Sequence, residues 1–100
     1  MELKIVKHLY RKTRNIEGKV LGEEYSYTVA IKRGWRWSHL RFRGMLIHRP
    51  DHRAREILQE QIVKFQTSIS ENSATHFPTE GDAVAVMNDI LNNPDKYIRL

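Results

Sequence analysis

Cysteine is absent from this chain of 100 residues, and its absence excludes several kinds of site. A chain without cysteine has no disulfide framework, no thiolate zinc site and no cysteine nucleophile. No apolar run approaches the roughly 18 residues that a membrane-spanning helix requires. The first ten residues, MELKIVKHLY, mix charged and apolar side chains and do not follow the pattern of a secretory signal. We therefore expect a cytoplasmic protein with no membrane partner.

Glycine and proline are scarce, with five and three residues respectively. Single, scattered glycines do not form a phosphate-binding loop or a dinucleotide fingerprint, so no cofactor is expected. The chain has no visible repeat, and 40% hydrophobic with 29% charged residues is typical of a folded protein. This length and composition predict one domain over residues 1–100.

Charge is distributed unevenly along the chain. Residues 1–55 hold 14 Lys and Arg against 5 acidic residues, a net charge of +9, whereas residues 56–100 hold 3 against 7, a net charge of −4. Such a polarised protein presents a positive surface to a polyanion or to an acidic protein surface. An exposed, solvated sheet is the alternative explanation of the same pattern.

Alternating polar and apolar residues in the first half predict an antiparallel sheet. The strands are expected at Leu3 to about Tyr10, at Tyr25 to Lys32 and at Trp35 to about Arg43. Residues 11–24 contain two glycines and are predicted to form a loop.

The second half changes to a helical period. Asp51 is a plausible N-cap, and apolar residues at three- and four-residue steps predict a helix over about 52–69. Thr79 and Asp82 resemble a capping box for a second helix that ends at Asn92-Asn93-Pro94. The predicted fold is α+β: residues 1–49 form a three-stranded antiparallel sheet, and residues 51–92 form two helices packed on one of its faces.

The hairpin register defines the main candidate site. If Arg33 and Gly34 form the turn, one face of the sheet carries the pairs Lys32/Trp35, Ala30/Trp37, Thr28/His39 and Ser26/Arg41, and continues towards Arg43. With the helices on the other face, this basic and aromatic face is exposed. A slip of one residue would instead bury both tryptophans.

Such a face favours a small, non-enzymatic protein that binds nucleic acid, single-stranded in preference to duplex. Aromatic rings stack on unpaired bases while cations contact phosphates. The candidate binding residues are those of the hairpin and of the RKTR segment: Lys32, Arg33, Trp35, Trp37, His39, Arg41, Arg43, Arg11, Lys12 and Arg14. The alternative is a protein-interaction module that uses the same face, such as an adaptor, inhibitor or accessory protein of a phage or mobile element. An unpaired sheet edge also permits a homodimer.

Enzymatic and metal-dependent functions have weaker support. His48, His52 and Glu56 are weak candidates for metal ligands, and their spacing matches no zinc motif. A phosphodiester-cleaving enzyme that combines His8 and His39 with Glu23 or Glu24 is the third hypothesis. No segment reproduces the signature of an RNA-recognition motif, a KH domain, a double-stranded-RNA domain or a helix-turn-helix.

Overall fold

Five strands form a single mixed sheet in the computed structural model, which describes residues 1–43 and 53–100. The strands lie in chain order across the sheet, and all neighbours are antiparallel except β4 and β5, which are parallel. The elements are β1 (Leu3–Arg14), β2 (Val20–Arg33), β3 (Arg36–Phe42), α1 (Ala54–Gln59), β4 (Val63–Ser68), α2 (Glu80–Asn92) and β5 (Tyr97–Arg99). Short 3-10 turns lie at Glu71–Ser73 and Pro94–Lys96. No helix in the described ranges is long and apolar enough to cross a membrane.

The predicted fold, a three-stranded antiparallel sheet followed by two packed helices, is wrong. The predicted helix over 52–69 is replaced by the six-residue α1 and by β4. In β4 the apolar residues Val63 and Phe65 alternate with polar ones, and a short segment of this kind satisfies a helical and a strand period equally well. Pairing with β3 on one side and β5 on the other selects the strand. The predicted helix start at Asp51 lies outside the described residues.

The segment 11–24, predicted to be a loop, extends the first hairpin instead. β1 continues to Arg14 and β2 begins at Val20, so the two strands project as a ribbon, which we call the arm (residues 9–25). Its turn is closed by backbone bonds between Asn15 and both Gly18 and Lys19, and Gly18 has φ of 83°. Glycine adopts this left-handed conformation without the steric cost of a Cβ.

The β2–β3 turn is shifted by one residue from its predicted position. Arg33 pairs with Arg36, so the turn residues are Gly34, which has φ of 65°, and Trp35. Each partner on β3 therefore moves by two residues, and Ala30 faces His39 rather than Trp37. Because side chains alternate with a period of two, this shift leaves every strand residue on its predicted face. Trp35 is the exception, since it leaves the strand and enters the turn.

A short extended segment separates the far ends of β2 and β3. Tyr27 and Phe77 exchange two backbone hydrogen bonds of 2.9 and 2.7 Å, and the Thr75 amide donates to the Leu40 carbonyl at 3.1 Å. The Thr75 hydroxyl accepts from the Phe42 amide at 2.9 Å. Residues 74–77, which we call the wedge, thus occupy the position in the sheet where β2 and β3 would otherwise pair.

Both α-helices pack on the face that carries Val29, Leu40 and Phe42, which we call the helix face. The predicted N-cap of α2 is confirmed, since the Thr79 hydroxyl accepts from the Asp82 amide at 3.1 Å. The buried core combines the two helices with the strands and the wedge: Val29, Leu40, Phe42, Ala54, Ile57, Val63, Phe77, Ala83, Val86, Ile90 and Tyr97. Phe77, in the segment before α2, has no exposed surface.

The carboxylate of Asp89 ties the end of α2 to β5. It accepts hydrogen bonds from Lys96 at 2.7 Å, from the Tyr97 hydroxyl at 2.5 Å and from the Asn93 amide at 2.9 Å. Burial alone would raise the pKa of Asp89, but the bonds from Lys96 and Tyr97 outweigh it and the net pKa is lowered. The ionised form is therefore the one that the fold stabilises.

Asp89→Asn is expected to lower the free energy of unfolding by about 1–3 kcal/mol, because Lys96 loses its ion pair in a partly buried site. Urea denaturation at neutral pH measures the change. Asp95→Asn is the matched control, since Asp95 is exposed and the substitution removes the same charge nearby. Equal losses in the two variants would contradict a specific role for Asp89.

Candidate functional site: a histidine cluster on the helix-free face

The sheet face opposite the helices carries a row of polar and aromatic side chains, and we call it the histidine face. Its members come from β1, β2 and β3: Lys4, Val6, His8, Ser26, Thr28, Ala30, Lys32, Trp37, His39 and Arg41. One cross-strand row runs from Lys4 through Ala30 to His39, and continues to Ser68 on β4. Lys32 faces Trp37 in the adjacent row.

Four of the predicted binding residues lie together on the histidine face: Lys32, Trp37, His39 and Arg41. Trp37 is half-buried, so neither tryptophan belongs to the core. The ammonium of Lys4 lies 4.2 Å from the centroid of the Trp37 ring, a cation–π contact between β1 and β3. The predicted register misplaced the cross-strand partners, yet it grouped these side chains correctly.

The remaining hairpin candidates lie elsewhere. Trp35 is 82% exposed at the turn, with the Arg36 guanidinium 4.8 Å from its ring centroid. Arg33 points to the helix face, where it donates to the Thr67 hydroxyl at 3.2 Å. It lines an open depression of about 660 Å³ together with Gly34, Arg36, Ser38, Thr67 and Ile69. Arg43 is exposed directly after β3.

The RKTR segment does not join the site, because it belongs to the arm rather than to a loop. Arg11 lies opposite Glu24 and Lys12 lies opposite Glu23 in the ladder of the arm. Arg14 donates to the carbonyl of Gly18 at 3.0 Å. Acidic residues on the facing strand offset the positive charge of this segment, which weakens it as a phosphate-binding element.

Three histidines from distant parts of the sequence meet at the centre of the histidine face. The His8 ring centroid lies 5.4 Å from that of His39 and 5.3 Å from that of His76. His8 Nδ1 is 2.7 Å from a carboxylate oxygen of Glu71, and His8 Nε2 is 2.8 Å from the Thr28 hydroxyl. The same hydroxyl is 2.9 Å from His39 Nδ1. Glu71, His8, Thr28 and His39 therefore form one continuous hydrogen-bonded chain.

His76 fixes the acidic end of this chain. Its Nδ1 is 2.8 Å from the Ser26 hydroxyl, and its Nε2 donates to the backbone carbonyl of Glu71 at 2.6 Å. The wedge carries His76 to the sheet, and His76 in turn holds the 3-10 turn that presents Glu71. His76, Glu71 and Lys4 were not among the predicted site residues, since no local pattern connects residues 71–76 with β1 and β2.

Burial keeps the outer two histidines neutral near pH 7. Burial lowers the pKa of His39, and the His8 ring and the Lys4 ammonium lower it further, against the opposing effect of Glu71. Burial also lowers the pKa of His76. This effect outweighs that of the hydrogen bond to the Glu71 carbonyl, which raises the pKa. Both rings are therefore available as neutral donors and acceptors.

The acidic residues proposed as partners of His8 and His39 are the wrong ones. Glu23 and Glu24 lie on the arm, and Glu71 occupies the position beside His8. Of the weak metal candidates, His48 and His52 lie outside the described residues, and the Glu56 carboxylate pairs with Arg53 at 2.8 Å. Within residues 1–43 and 53–100, no group of three ligating side chains has the geometry of a metal site.

Comparison of the chain with protein-family models, with curated proteins and with solved structures gave no match. The interpretation of the site therefore rests on its chemistry. That chemistry combines a half-buried tryptophan, several cations and a hydrogen-bonded histidine chain on one face of a sheet.

Proposed function

We propose that the histidine face binds single-stranded nucleic acid. The observation that carries this proposal is the contact between Lys4 and Trp37. Trp37 lies opposite Lys32, and Lys4 lies in the same cross-strand row as His39. The Lys4 ammonium lies over the Trp37 ring, so a cation that suits a phosphate and a ring that suits its unpaired base occupy the same part of the sheet. The cytoplasmic location expected from the sequence is part of the same proposal.

Charge separation within the fold supports this orientation of the ligand. The acidic residues of α2, Glu80, Asp82 and Asp89, belong to the helix side of the sheet. Lys4 and Lys32 are exposed on the opposite face. A polyanion is therefore attracted to the histidine face and repelled from α2.

A single strand fits this face better than a duplex does. A duplex keeps its bases stacked on one another, so Trp37 has no base face to contact. Trp35, exposed at the turn, offers a second ring at the end of the same hairpin. Two rings on one hairpin favour a ligand whose bases are free to separate.

Tryptophan fluorescence tests the proposal, with single-stranded and duplex oligonucleotides of one sequence as titrants. We expect quenching by the single strand that is reversed by salt, because phosphate contacts release counterions. Trp35→Phe should retain the quenching that comes from Trp37, and Trp37→Phe should lose that part of it. Unchanged emission with both oligonucleotides at low salt would refute nucleic-acid binding at this face.

Lys32→Ala is expected to weaken binding and to reduce the salt dependence, with a log–log slope lower by about 0.7 for a single strand. Arg55→Ala is the matched control, because Arg55 is an exposed cation on α1. Fluorescence titrations over a range of salt concentrations measure both slopes. An equal reduction in the two variants would mean that binding responds to net charge and not to this face.

The arm supports protein interaction as a second candidate function. Ile16 at its tip is fully exposed, and Leu21 and Leu9 are 64% and 47% exposed. Exposed apolar side chains on a charge-balanced ribbon suit a protein partner better than a phosphate backbone. Ile16→Ser with Leu21→Ser would abolish binding to such a partner and leave oligonucleotide binding unchanged.

A further inference from the structure

We propose that His39 is the general base of a phosphodiester-cleaving centre on the histidine face, and that the substrate is RNA. This inference rests on the proposed function, since the strand must first bind to the same face. It adds an activity to a protein whose sequence alone favours binding without catalysis.

The direction of each hydrogen bond follows from the carboxylate of Glu71, which only accepts. In the proposed resting state His8 holds a single proton on Nδ1, which Glu71 accepts, and its Nε2 is left as an acceptor. The Thr28 hydroxyl donates to that nitrogen, so Thr28 Oγ1 accepts from the Nδ1 proton of His39. His39 Nε2 is consequently left with its lone pair, which is the form that a general base requires.

This nitrogen is accessible from the surface of the protein. The hydrogen bond of His39 engages Nδ1, and the ring is half-buried. Among the described residues, no side-chain nitrogen or oxygen is buried without a hydrogen-bond partner. His39 Nε2 therefore reaches solvent, in the row that begins with Lys4.

The chain of bonds also gives the proton a destination. When His39 Nε2 accepts a proton, the Nδ1 proton passes to Thr28 and the Thr28 proton passes to His8 Nε2. The positive charge then rests on His8, 2.7 Å from Glu71, instead of on His39. Burial disfavours the charged form of His39, as its lowered pKa indicates. His8, Thr28 and Glu71 are positioning residues in this arrangement.

The reaction is a transesterification in which only protons move between protein and substrate. The 2′-oxygen attacks the adjacent phosphorus, the bond from phosphorus to the 5′-oxygen breaks, and a 2′,3′-cyclic phosphate forms. His39 takes the proton of the 2′-hydroxyl. The departing 5′-oxygen takes a proton from water, and the resulting hydroxide recovers a proton from His39. The Lys4 ammonium offsets the charge of the phosphate.

Thr28 itself is excluded as the nucleophile, although its bond to His8, which in turn contacts Glu71, reproduces the connectivity of a catalytic triad. Its side chain has no exposed surface. A nucleophile that belongs to the substrate satisfies this geometry, and the 2′-hydroxyl of RNA is such a group.

The test uses a fluorescently labelled single-stranded RNA and the DNA of the same sequence, with binding and cleavage measured separately. We expect both strands to bind, and the RNA alone to be cleaved, with a cyclic phosphate as the first product. His39→Asn should cleave RNA at least about 100-fold more slowly than the wild type when both are saturated with RNA. The Asn amide nitrogen takes the place of Nδ1 and keeps the bond to Thr28, while Nε2 is removed.

Each outcome decides between the two proposals. Binding of RNA without cleavage overturns the catalytic inference and leaves the binding function intact, whereas absence of binding overturns both. Equal cleavage by His39→Asn and wild type identifies a contaminating nuclease and overturns the role of His39. Nitrogen NMR of the wild-type imidazoles is independent of any variant: a proton on His39 Nε2 near pH 7 would contradict the proposed tautomer.

Discussion

Phe77→Ala is expected to lower the free energy of unfolding by about 3–5 kcal/mol, the typical cost of removing a fully buried phenylalanine ring. Phe77 has no exposed surface, and its ring centroid lies 6.3 Å from that of Phe42. The substitution leaves a cavity at the point where the wedge enters the sheet, between Tyr27 and Leu40. Urea denaturation followed by circular dichroism measures the loss.

Phe65→Ala provides the comparison for Phe77, since Phe65 is a half-buried phenylalanine packed against the same core. Its loss should be smaller, because part of its ring already contacts water. A cost for Phe77→Ala equal to or below that of Phe65→Ala would argue against the wedge as a stabilising element.

Acidification below about pH 6.5 is expected to destabilise the protein steeply, because the pKa values of His39 and His76 are lowered in the folded state. Above the unfolded pKa of 6.5 both states hold these rings neutral, and the stabilising contribution is complete. As the pH falls, the unfolded chain binds protons that the folded chain does not, and the contribution is lost until the pH passes the folded pKa values. Each histidine contributes at most about 1.4 kcal/mol per pH unit, so together they contribute up to about 2.7.

Thermal unfolding between about pH 7.5 and pH 5 measures this slope. His76→Gln is the informative variant, because the Gln amide keeps a donor for the Glu71 carbonyl and does not titrate. Its stability should fall with pH at a visibly lower rate. An acid response that matches the wild type would mean that His76 does not contribute to the transition.

Much of the histidine face was predictable because strand periodicity is a local property. Alternation alone placed Thr28, Lys32, Trp37 and His39 on one side of the sheet, and the error in the turn moved partners by two residues without exchanging the faces. Trp35 was misplaced for the same reason: it lies where a shift of one turn residue decides between strand and turn. Strand periodicity determines the face of the sheet on which a side chain lies, whereas the position of the turn determines its partner on the neighbouring strand.

The errors concern features that depend on distant residues. Residues 62–69 have apolar spacing compatible with a helix, and only their pairing with β3 and β5 decides for a strand. Pairing of Arg11 and Lys12 with Glu24 and Glu23 likewise extends a segment whose glycines indicate a loop. The N-cap of α2, by contrast, depends only on Thr79 and Asp82, which are close together in the chain, and that helix was predicted correctly.

The chemical centre was not predictable, because it joins residues as distant in the chain as His8 and Glu71, or Ser26 and His76. His39 was predicted on the correct face, but the acid beside His8 comes from a turn after β4. Nothing in the residues around Glu71 or His76 indicates their approach to β1 and β2. The wedge brings Glu71 and His76 to the sheet, and no sequence pattern predicts a segment inserted between the two strands of a hairpin.

The wedge also constrains the order in which the protein folds. β2 and β3 are neighbours in the chain and form a hairpin early, since short loops close fast. If strand pairing in that hairpin continues beyond Ala30 and His39, the backbone groups of Tyr27 and Leu40 bond to the facing strand. In the native sheet the same groups bond to residues 74–77. Such a hairpin must reopen before the wedge enters, which makes it a kinetic trap. On the ribosome the gap stays unfilled until Phe77 has emerged, so the histidine centre assembles only near the end of synthesis.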